Sequence, residues 1–502
     1  MVMETLQIRL TKELLNEISM LIDWGIYSST SEAVRDAVRR LVTGVEAPIR
    51  NIPKQVEKEA KEVKQEIKPE VKEVKPEARE IIKKLDKEVK KQFQKPTGTL
   101  DFYPEDKETQ NKIFEILAKT AVRFGFKEVD SPIIETMDLL KAKQGEEIKK
   151  QIFTIEKKGD EEFAIRAEFT PSLARMFVAK QKELQKPVKW FCINKVLRYE
   201  RPQAGRLREF FQFNVEMYGS NKPEADAEMI NLVIACMKNL GLNENDFFVK
   251  INNRELLQGL LLEIVDQSDL DKVISLIDKK AKITEEDFDK EAIALGLNED
   301  KIKRIKKLIN SSLKDLKPEN ELAKKGLDNL KEILTYVDNK YVQVDLATAR
   351  GLAYYTGTVF EVYDKDEKFR SIAGGGRYDQ MIELFKGEQT PATGFALGYA
   401  TLSLLLGDKA RIPSIDLSVD YFIVIVNDGV RQKAFEIANN LREKYRVEVD
   451  FKRANIGKQF KFANNIKAKK VIIVGPDELK ESKVKIKDMG TGKEELVDID
   501  DL

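Results

Sequence analysis

The spacing of apolar residues in the first 46 positions predicts a small strand–helix–helix unit. In residues 5–10 apolar and polar side chains alternate strictly, which is typical of a strand with one buried face. Apolar positions then recur at helical spacing in residues 14–22 and again in residues 33–41. A unit this short cannot bury a core of its own, so we expect it to pair with a second copy. The polar face of the strand carries Thr5, Gln7 and Arg9.

Residues 47–92 are dominated by Lys and Glu, and prolines interrupt apolar positions that are spaced three and four apart. The triplet Lys-Pro-Glu occurs at 68–70 and again at 75–77. A coiled-coil seam is one interpretation of this spacing, but proline breaks a continuous helix. We therefore interpret the segment as a charged, partly helical spacer.

Downstream of the spacer, the pattern predicts an α+β multidomain protein. Helical and strand-like stretches alternate in residues 93–254 and 336–410, which we interpret as two parts of one domain. Residues 255–335, between those parts, look all-helical and lack site motifs, so we interpret them as an inserted domain. Residues 418–502 show a βαβ rhythm that predicts a separate small α/β domain. The strands predicted there are 421–426, 447–451 and 471–474.

Composition narrows the function classes. A chain of 502 residues with 42% hydrophobic residues can bury several cores, and its net charge of +1 gives no global attraction to nucleic acid. No apolar run reaches the length of a membrane span, and no signal peptide is visible. Cys192 and Cys236 lie far apart and outside any CxxC pattern, which argues against a disulfide framework or a zinc site. We expect a cytoplasmic protein without a membrane partner.

The chain contains no histidine at all. Histidine is the usual general base near neutral pH and a frequent metal ligand, so neither role is available to a side chain of that type. The chemistry must depend on Arg, Lys, Glu, Asp, Gln, Tyr, the substrate or a bound ion.

Residues 198–216 concentrate charge around a turn that contains proline and glycine, between strand-like stretches at 190–197 and 210–217. Such a hairpin would hold Arg198 and Arg206 where guanidinium groups can bind a polyphosphate. Gln212, Asn214 and Glu216 share one face of the returning strand, so polar groups would line the same cleft. The alternative is an ordinary salt-bridged surface hairpin.

The 198–216 run resembles motif 2 of class II aminoacyl-tRNA synthetases almost residue for residue. Residues 349–361, Ala-Arg-Gly-Leu-Ala-Tyr-Tyr-Thr-Gly-Thr-Val-Phe-Glu, resemble a signature that belongs within this class to histidyl-tRNA synthetases. Further matches occur in the expected order, and the resemblance covers residues 93–502. They are 96–105 for the opening segment, 125–135 for motif 1, 166–170 for the amino-acid loop, 226–228, and 374–379.

The resemblance implies an antiparallel-sheet catalytic domain at 93–254 and 336–410, and a homodimer. It implies that histidine attacks the α-phosphate of ATP, which arrives with Mg²⁺, and that the adenylate then acylates tRNA(His). We expect no tightly bound cofactor and no metal ligand among the protein side chains. Six side chains would bind the histidine substrate: Glu168, Thr170 and Gln212 at the α-amino group, and Glu216, Tyr354 and Tyr355 at the imidazole.

The same comparison implies the nucleotide contacts. Arg198 and Arg350 would be the catalytic residues and would bind the α-phosphate and the carboxylate. Arg206 would bind the distal phosphates, with Glu200 near the adenine. Arginine keeps its proton, so these roles are electrostatic: fixed positive charge where negative charge grows on phosphorus.

One departure from the family pattern concerns motif 3. The family usually ends this motif Gly-Phe-x-x-Gly-x-Glu-Arg, whereas residues 394–401 read Gly-Phe-Ala-Leu-Gly-Tyr-Ala-Thr. Thr401 occupies the position of an arginine that lies over the adenine, and Ala400 that of the glutamate. Threonine cannot stack on a purine as a cation, so this end of the ATP site is expected to be weakened or differently built.

The two ends of the chain resemble nucleic-acid-binding domains. Residues 418–502 resemble the anticodon-binding domain of this synthetase subgroup, although their many lysines also fit an ordinary solvated surface. Residues 1–46 resemble ribbon-helix-helix DNA-binding domains, in which two paired strands enter the major groove of double-stranded DNA. Thr5, Gln7 and Arg9 would then face base edges. The alternative is a dimerisation unit that does not touch DNA.

We therefore predict a histidine–tRNA ligase that carries an added N-terminal module. The alternative is a non-catalytic synthetase-like regulator that senses histidine or tRNA and acts through that module. Arg198, Arg206 and Arg350 favour the enzyme, whereas Thr401 and the N-terminal module favour the regulator.

Overall fold

The computed structural model describes residues 94–144, 148–149, 151–157, 159–280, 283–348 and 354–502. Residues 1–93 lie outside the described part of the chain. They include the unit predicted at 1–46, with Thr5, Gln7 and Arg9, and the spacer predicted at 47–92. Arg350 also lies outside them.

Regular elements cover most of the described chain. The helices are α1 (Pro104–Arg123), α2 (Met137–Gln144), α3 (Thr170–Lys180), α4 (Pro223–Asn239), α5 (Arg254–Leu262), α6 (Leu270–Lys279), α7 (Glu285–Ala294), α8 (Glu299–Ile309), α9 (Glu321–Tyr336), α10 (Met381–Leu384), α11 (Tyr399–Asp408), α12 (Arg431–Leu441), α13 (Ile456–Asn465) and α14 (Pro476–Lys480). The strands are β1 (Lys127–Glu128), β2 (Ile134–Thr136), β3 (Phe163–Ile165), β4 (Val188–Leu197), β5 (Glu209–Tyr218), β6 (Phe247–Asn253), β7 (Val342–Val344), β8 (Thr358–Asp364), β9 (Ala373–Arg377), β10 (Ala392–Gly398), β11 (Tyr421–Ile425), β12 (Val447–Val449), β13 (Lys470–Val474), β14 (Lys483–Asp488) and β15 (Glu494–Asp498).

An eight-stranded sheet in the order β1-β4-β5-β10-β9-β8-β6-β7 forms the centre of the molecule. Its inner strands are all antiparallel, and only the outer pairs β1–β4 and β6–β7 are parallel. The register aligns Glu216 of β5 with Gly394 of β10, and Gly394 with Gly376 of β9. This alignment brings three of the predicted motifs into one row across the sheet.

The two faces of this sheet have different surroundings. On one face, Phe213 and Val215 of β5 pack with helices α1, α4 and α9 into the largest apolar core. Side chains alternate along a strand, so Gln212, Asn214 and Glu216 point to the opposite face. The antiparallel catalytic sheet that the family resemblance implied is therefore present, with a row of buried polar side chains on the face opposite this core.

Among the helices between β6 and β7, α6, α7 and α8 form a core of their own, whereas α9 packs in the core under the sheet. The buried apolar residues of α6, α7 and α8 pack together, apart from the sheet. Thr284 and Asn298 cap the N-termini of α7 and α8 by accepting hydrogen bonds from backbone N–H groups. Within the described residues of 255–335, the regular elements are all helices.

The C-terminal residues form a five-stranded sheet in the order β12-β11-β13-β14-β15. Strands β12 and β13 flank β11 in parallel, as the βαβ rhythm predicted, with α12 and α13 as the crossover helices. The antiparallel hairpin β14–β15 was not predicted. Its signal was present, since Val484 and Ile486 alternate with lysines and both are buried.

No helix in the described part of the chain is long and apolar enough to cross a membrane. Cys192 and Cys236 are both buried and unpaired.

Candidate active site

The predicted hairpin is formed by β4 and β5, which pair along their whole length from Val188 opposite Tyr218 to Leu197 opposite Glu209. Beyond the strands, the backbone N–H of Arg198 donates to the carbonyl of Arg208 at 2.8 Å. A small bridge between Gln203 and Arg206 closes the tip. The tip contains Gly205 at φ +71°, a backbone conformation that glycine adopts without strain.

A buried carboxylate lies at the centre of the polar row. The Glu216 side chain is 1% exposed, and its Oε1 accepts hydrogen bonds from Thr170 Oγ1 at 2.9 Å and from Asn214 Nδ2 at 2.7 Å. Thr170 is the first residue of α3, so the start of that helix is tied to the sheet. The structure thus joins two residues that the sequence comparison assigned to different parts of the histidine substrate.

The glycine at position 394 allows β10 to lie directly beside the Glu216 carboxylate. A Cβ at that position would lie 2.3 Å from Glu216 Oε2 and 2.7 Å from the hydroxyl of Tyr378. Glu216 Oε2 and the Tyr378 hydroxyl oxygen therefore both lie close to the Cα of Gly394. Gly376 in the neighbouring strand is equally constrained, because a Cβ there would lie 2.4 Å from the carbonyl of Thr358 and 3.0 Å from the Tyr355 ring.

Three tyrosine rings gather beside the carboxylate. The ring centroids of Tyr354 and Tyr355 are 4.5 Å apart, and those of Tyr354 and Tyr378 are 5.8 Å apart. The Tyr378 hydroxyl is buried and accepts or donates no hydrogen bond to any other described residue. The sequence comparison named the 374–379 stretch without giving Tyr378 a role, and the structure makes it a neighbour of Glu216.

Gln212 has a buried acceptor in the same row. Its side chain is 7% exposed, and its Oε1 makes no hydrogen bond within the part of the chain that the structure describes. A buried acceptor of this kind is expected to find a donor, and a substrate ammonium is one. Glu168, the acid predicted to bind the ammonium, is half-buried at the end of the loop that precedes α3.

The predicted nucleotide residues lie at the hairpin tip. Arg206 Nε forms a hydrogen-bonded ion pair with Glu200, while Arg198 Nε donates to the carbonyl of Ala167 at 2.9 Å. Burial opposes ionisation of Glu200, but the hydrogen bond and charge of Arg206, together with more distant arginines, outweigh it and lower the pKa. Two side chains predicted to contact different parts of ATP therefore pair with each other.

Arg166 has a structural part in this arrangement. It is 1% exposed, and its guanidinium donates to the carbonyls of Ser131 at 2.6 Å, Pro132 at 3.1 Å and Lys195 at 3.1 Å. These bonds tie the stretch before β2 to the catalytic sheet. Burial lowers the pKa of this arginine, and the charge of Asp130 partly opposes the effect.

A buried ion pair supports the far end of β9. Arg377 Nε lies 2.9 Å from Asp226 on α4, and both side chains are almost fully buried. Burial raises the pKa of Asp226, although the charge of Arg377 pulls it down. The pair fixes α4 against the strand that leads into Tyr378.

Comparison with known proteins decides the family. A family model described as Histidyl-tRNA synthetase matches residues 98–402, and one described as Anticodon binding domain matches residues 420–502. The histidine–tRNA ligase of Haloarcula marismortui is 37% identical over 408 residues, which are 79% of this chain and 94% of that protein. This chain belongs to the histidyl-tRNA synthetase family.

Other relatives agree with this assignment. The histidine–tRNA ligase of Opitutus terrae is 39% identical over 80% of this chain and 95% of its own length. The crystal structure of histidyl-tRNA synthetase from Nostoc sp. PCC 7120 superposes with a TM-score of 0.69 at 26% identity, covering 81% of this chain and 97% of that one. The predicted function, a histidine–tRNA ligase of the aminoacyl-tRNA synthetase class, is confirmed.

Within this synthetase, the unusual end of motif 3 packs beneath the hairpin tip. Thr401 is buried in the first turns of α11, and its hydroxyl donates to the carbonyl of Gly205 at 3.3 Å. The hydroxyl is thus engaged with the protein backbone. Arg370, which the sequence comparison did not single out, lies at the same end of the site and donates to the Gln203 side chain at 2.8 Å.

Proposed function

We propose that this synthetase binds histidine over the polar face of β5, with Glu216 accepting a hydrogen bond from the imidazole. The observation that carries the proposal is the buried Glu216 carboxylate, fixed by Thr170 and Asn214 and facing Gly394. An imidazole ring needs an acceptor for one ring N–H and a partner for the other nitrogen. Tyr355, Tyr354 and Tyr378 supply an aromatic wall for the ring.

The α-amino group would lie toward Gln212 and Glu168, as the family resemblance implies. Thr170 would act there through its hydroxyl as well as by holding Glu216. The unsatisfied acceptor on Gln212 suits an ammonium donor, and a carboxylate suits its charge. A histidine bound by both its imidazole and its α-amino group would direct its carboxylate toward the hairpin tip.

ATP would enter at that tip as its Mg²⁺ complex, which makes the metal part of the substrate. We propose that Arg198 and Arg350 bind the α-phosphate and the histidine carboxylate, with Arg206 on the distal phosphates and Glu200 near the adenine. Binding would require Arg206 to exchange Glu200 for phosphate oxygens, for which its guanidinium is well suited. A carboxylate oxygen of histidine then attacks the α-phosphorus, and pyrophosphate leaves with the bonding electron pair. In the second step a hydroxyl at the tRNA 3′ end attacks the carbonyl carbon and AMP leaves.

Kinetics of single variants would test this assignment. Glu216→Gln keeps the shape of the side chain but removes its charge, so the KM for histidine should rise at least about tenfold with a small change in the KM for ATP. Arg206→Ala should raise the KM for ATP and leave that for histidine nearly unchanged. Equal effects of both variants on both substrates would contradict the assignment.

Arg350 lies outside the described residues, and its role rests on the sequence. If it stabilises charge that grows on the α-phosphate, Arg350→Ala should lower kcat by roughly 100–1,000-fold, the scale of removing one such donor. Histidine binding measured at equilibrium should change much less. A variant with normal kcat and lost affinity would refute the role.

We also propose that the enzyme is a homodimer, cytoplasmic in location. Several large apolar side chains between residues 100 and 134 are exposed, among them Tyr103 at 69% and Val122 at 59%. Exposed apolar surface of this kind favours a protein contact. Light scattering of the purified protein would test it, with a single monomer mass at micromolar concentration as the contrary result.

For the N-terminal module, we propose binding to double-stranded DNA with Thr5, Gln7 and Arg9 on base edges. The support is the sequence pattern alone, and a core dimer would hold two such modules at high effective concentration. Binding should weaken steeply with salt, and Gln7→Ala should reduce sequence preference more than general affinity. Gel-shift titrations at two salt concentrations test this, and a dimer that shifts no fragment at low salt would leave only the dimerisation role.

For tRNA, we propose that the C-terminal domain presents exposed rings and cations to the anticodon arm. Phe451 is 69% exposed and Phe462 is 45% exposed, and lysines and an arginine surround them in sequence. Exposed rings can stack on unpaired bases, while cations contact phosphates. Phe451→Ala should then raise the KM for tRNA(His) in aminoacylation and leave pyrophosphate exchange unchanged.

A further inference from the structure

Arg370 lies where the sheet meets the start of α11. It precedes β9, and two residues later the carbonyl of Ile372 accepts a hydrogen bond from the N–H of Gly398 at 3.0 Å. Gly398 is the N-cap of α11, the helix that carries Thr401. The backbone therefore places Arg370 near the first turn of that helix, in the bend that precedes β9.

The side chain of Arg370 extends from this position to the hairpin tip. Its Nη2 donates to Oε1 of Gln203 at 2.8 Å, across 167 positions of sequence. Gln203 is one of the two tip residues whose backbones are hydrogen-bonded to each other. The charge of Arg370 also reaches the carboxylate of Glu200, together with the charges of Arg206 and Arg198.

Position 401 cannot supply a cation to this end of the site. The Thr401 side chain is 6% exposed, and its hydroxyl is used by the carbonyl of Gly205. Ala400 has no polar side-chain atom. The first three residues of α11, Tyr399 to Thr401, therefore offer no positively charged side chain to a nucleotide.

Arg370, by contrast, is available to a ligand. Its side chain is exposed, and within the described residues no carboxylate lies within ion-pair distance of it. A neutral amide holds one end of its guanidinium, which orients the planar group without neutralising its charge. A planar guanidinium can stack on an aromatic base, a contact that a compact ammonium group makes less well.

We propose that Arg370 stacks on the purine ring of ATP and supplies the positive charge that position 401 lacks. The inference rests on the proposed function, because it assumes that the nucleotide lies at the hairpin tip. Gln203 is then a positioning residue, which sets the plane of the guanidinium before ATP arrives.

Substitution of Arg370 tests the inference. Arg370→Ala should raise the KM for ATP about tenfold in histidine-dependent exchange, with the KM for histidine within about twofold of the parent enzyme. Arg370→Lys keeps the charge but loses the planar group, so its KM for ATP should lie between that of the parent enzyme and that of Arg370→Ala. Lys368→Ala is the matched control, since Lys368 is an exposed cation two residues away that pairs with Asp408.

Competing ligands separate the base from the phosphates. In Arg370→Ala, inhibition of exchange by adenosine should weaken by the same factor as the KM for ATP rises, while the KM for pyrophosphate, the other substrate of exchange, stays unchanged. A raised KM for pyrophosphate with unchanged adenosine inhibition would put Arg370 on the phosphates and overturn the proposal. So would an Arg370→Ala enzyme with the parent KM for ATP.

A failure of the proposed function can be distinguished from a failure of the inference about Arg370. If the parent enzyme gave no histidine-dependent exchange, titration calorimetry of adenosine and ATP into the parent, Arg370→Ala and Lys368→Ala proteins would still test Arg370. The proposal requires weaker binding of both ligands by Arg370→Ala alone. Equal affinities in the three proteins would overturn it.

Discussion

Thr170 donates a hydrogen bond of 2.9 Å from its hydroxyl to Oε1 of Glu216, joining the first residue of α3 to the central strand β5. The two residues are 46 positions apart in sequence. The bond fixes the carboxylate in its buried site, with Asn214 donating to the same oxygen. Histidine recognition is therefore expected to depend on Thr170 even if the hydroxyl does not contact the imidazole.

Thr170→Val replaces the hydroxyl with a methyl group of similar size. Hydrogen bonds to charged groups are worth about 1.5–3 kcal/mol, so the KM for histidine should rise roughly tenfold or more. The KM for ATP should change little. Steady-state pyrophosphate exchange measures both, and Thr170→Ser, which keeps the hydroxyl, should stay close to the parent enzyme. A Thr170→Val variant with the parent KM for histidine would show that the Thr170 hydroxyl does not contribute to histidine binding.

Gly394→Ala should damage the histidine site from the opposite side. The new methyl group would collide with Glu216 Oε2 and the Tyr378 hydroxyl, so the carboxylate must move. We expect histidine activation to fall at least about 100-fold while the folded protein still binds ATP. Gly407→Ala in α11 is the control, since a Cβ there meets nothing closer than 3.9 Å. Parent-like activity of Gly394→Ala would contradict the close approach.

The hairpin and the long alternation of β5 could be predicted because their signals are local. Strict alternation, a proline–glycine turn and clustered charges all lie within 198–216. The α/β rhythm of the C-terminal domain is local in the same sense. Family resemblance added the candidate residues, and the structure shows how two of them, Thr170 and Glu216, meet.

The rest of the site depends on contacts between distant segments. Nothing in the neighbourhood of Arg370 in sequence points to Gln203, and the need for glycine at 394 appears only when β5 and β9 lie on both sides of β10. The pairing of Glu200 with Arg206 could have been anticipated from their spacing across the turn. The place of Tyr378 in the site follows from its distance to Gly394, which only the structure gives.

The Asp226–Arg377 pair should matter for stability. Both side chains are buried, and removing one partner of such a pair leaves an uncompensated charge, which costs roughly 3–5 kcal/mol. Asp226→Asn should therefore lower the unfolding midpoint in denaturant. Asp379→Asn, which removes the more exposed partner of the same arginine, should cost less. Replacing Asp226 and Arg377 together should cost less than the sum of the single changes, and strict additivity would contradict the coupling.

The two cysteines should resist alkylation in the folded enzyme. Burial raises the pKa of both thiols well above the usual range, so the reactive thiolate is scarce at pH 8 and reagents cannot reach it. Mass spectrometry after iodoacetamide treatment should find Cys192 and Cys236 unmodified in native protein and both modified in denaturant. Rapid labelling of either one in the native state would show that its surroundings open.

The central claim is that the buried polar row of β5, with the Glu216 carboxylate at its centre, makes this protein a histidine-activating enzyme. Amino-acid-dependent exchange of pyrophosphate into ATP measures that step directly, without tRNA. With each of the twenty standard amino acids supplied in turn, the account predicts exchange with histidine alone, and exchange at least about fivefold slower in Glu216→Gln at a histidine concentration near the parent KM. Absence of exchange with histidine by protein that binds both histidine and ATP, or equal exchange by Glu216→Gln, would contradict it.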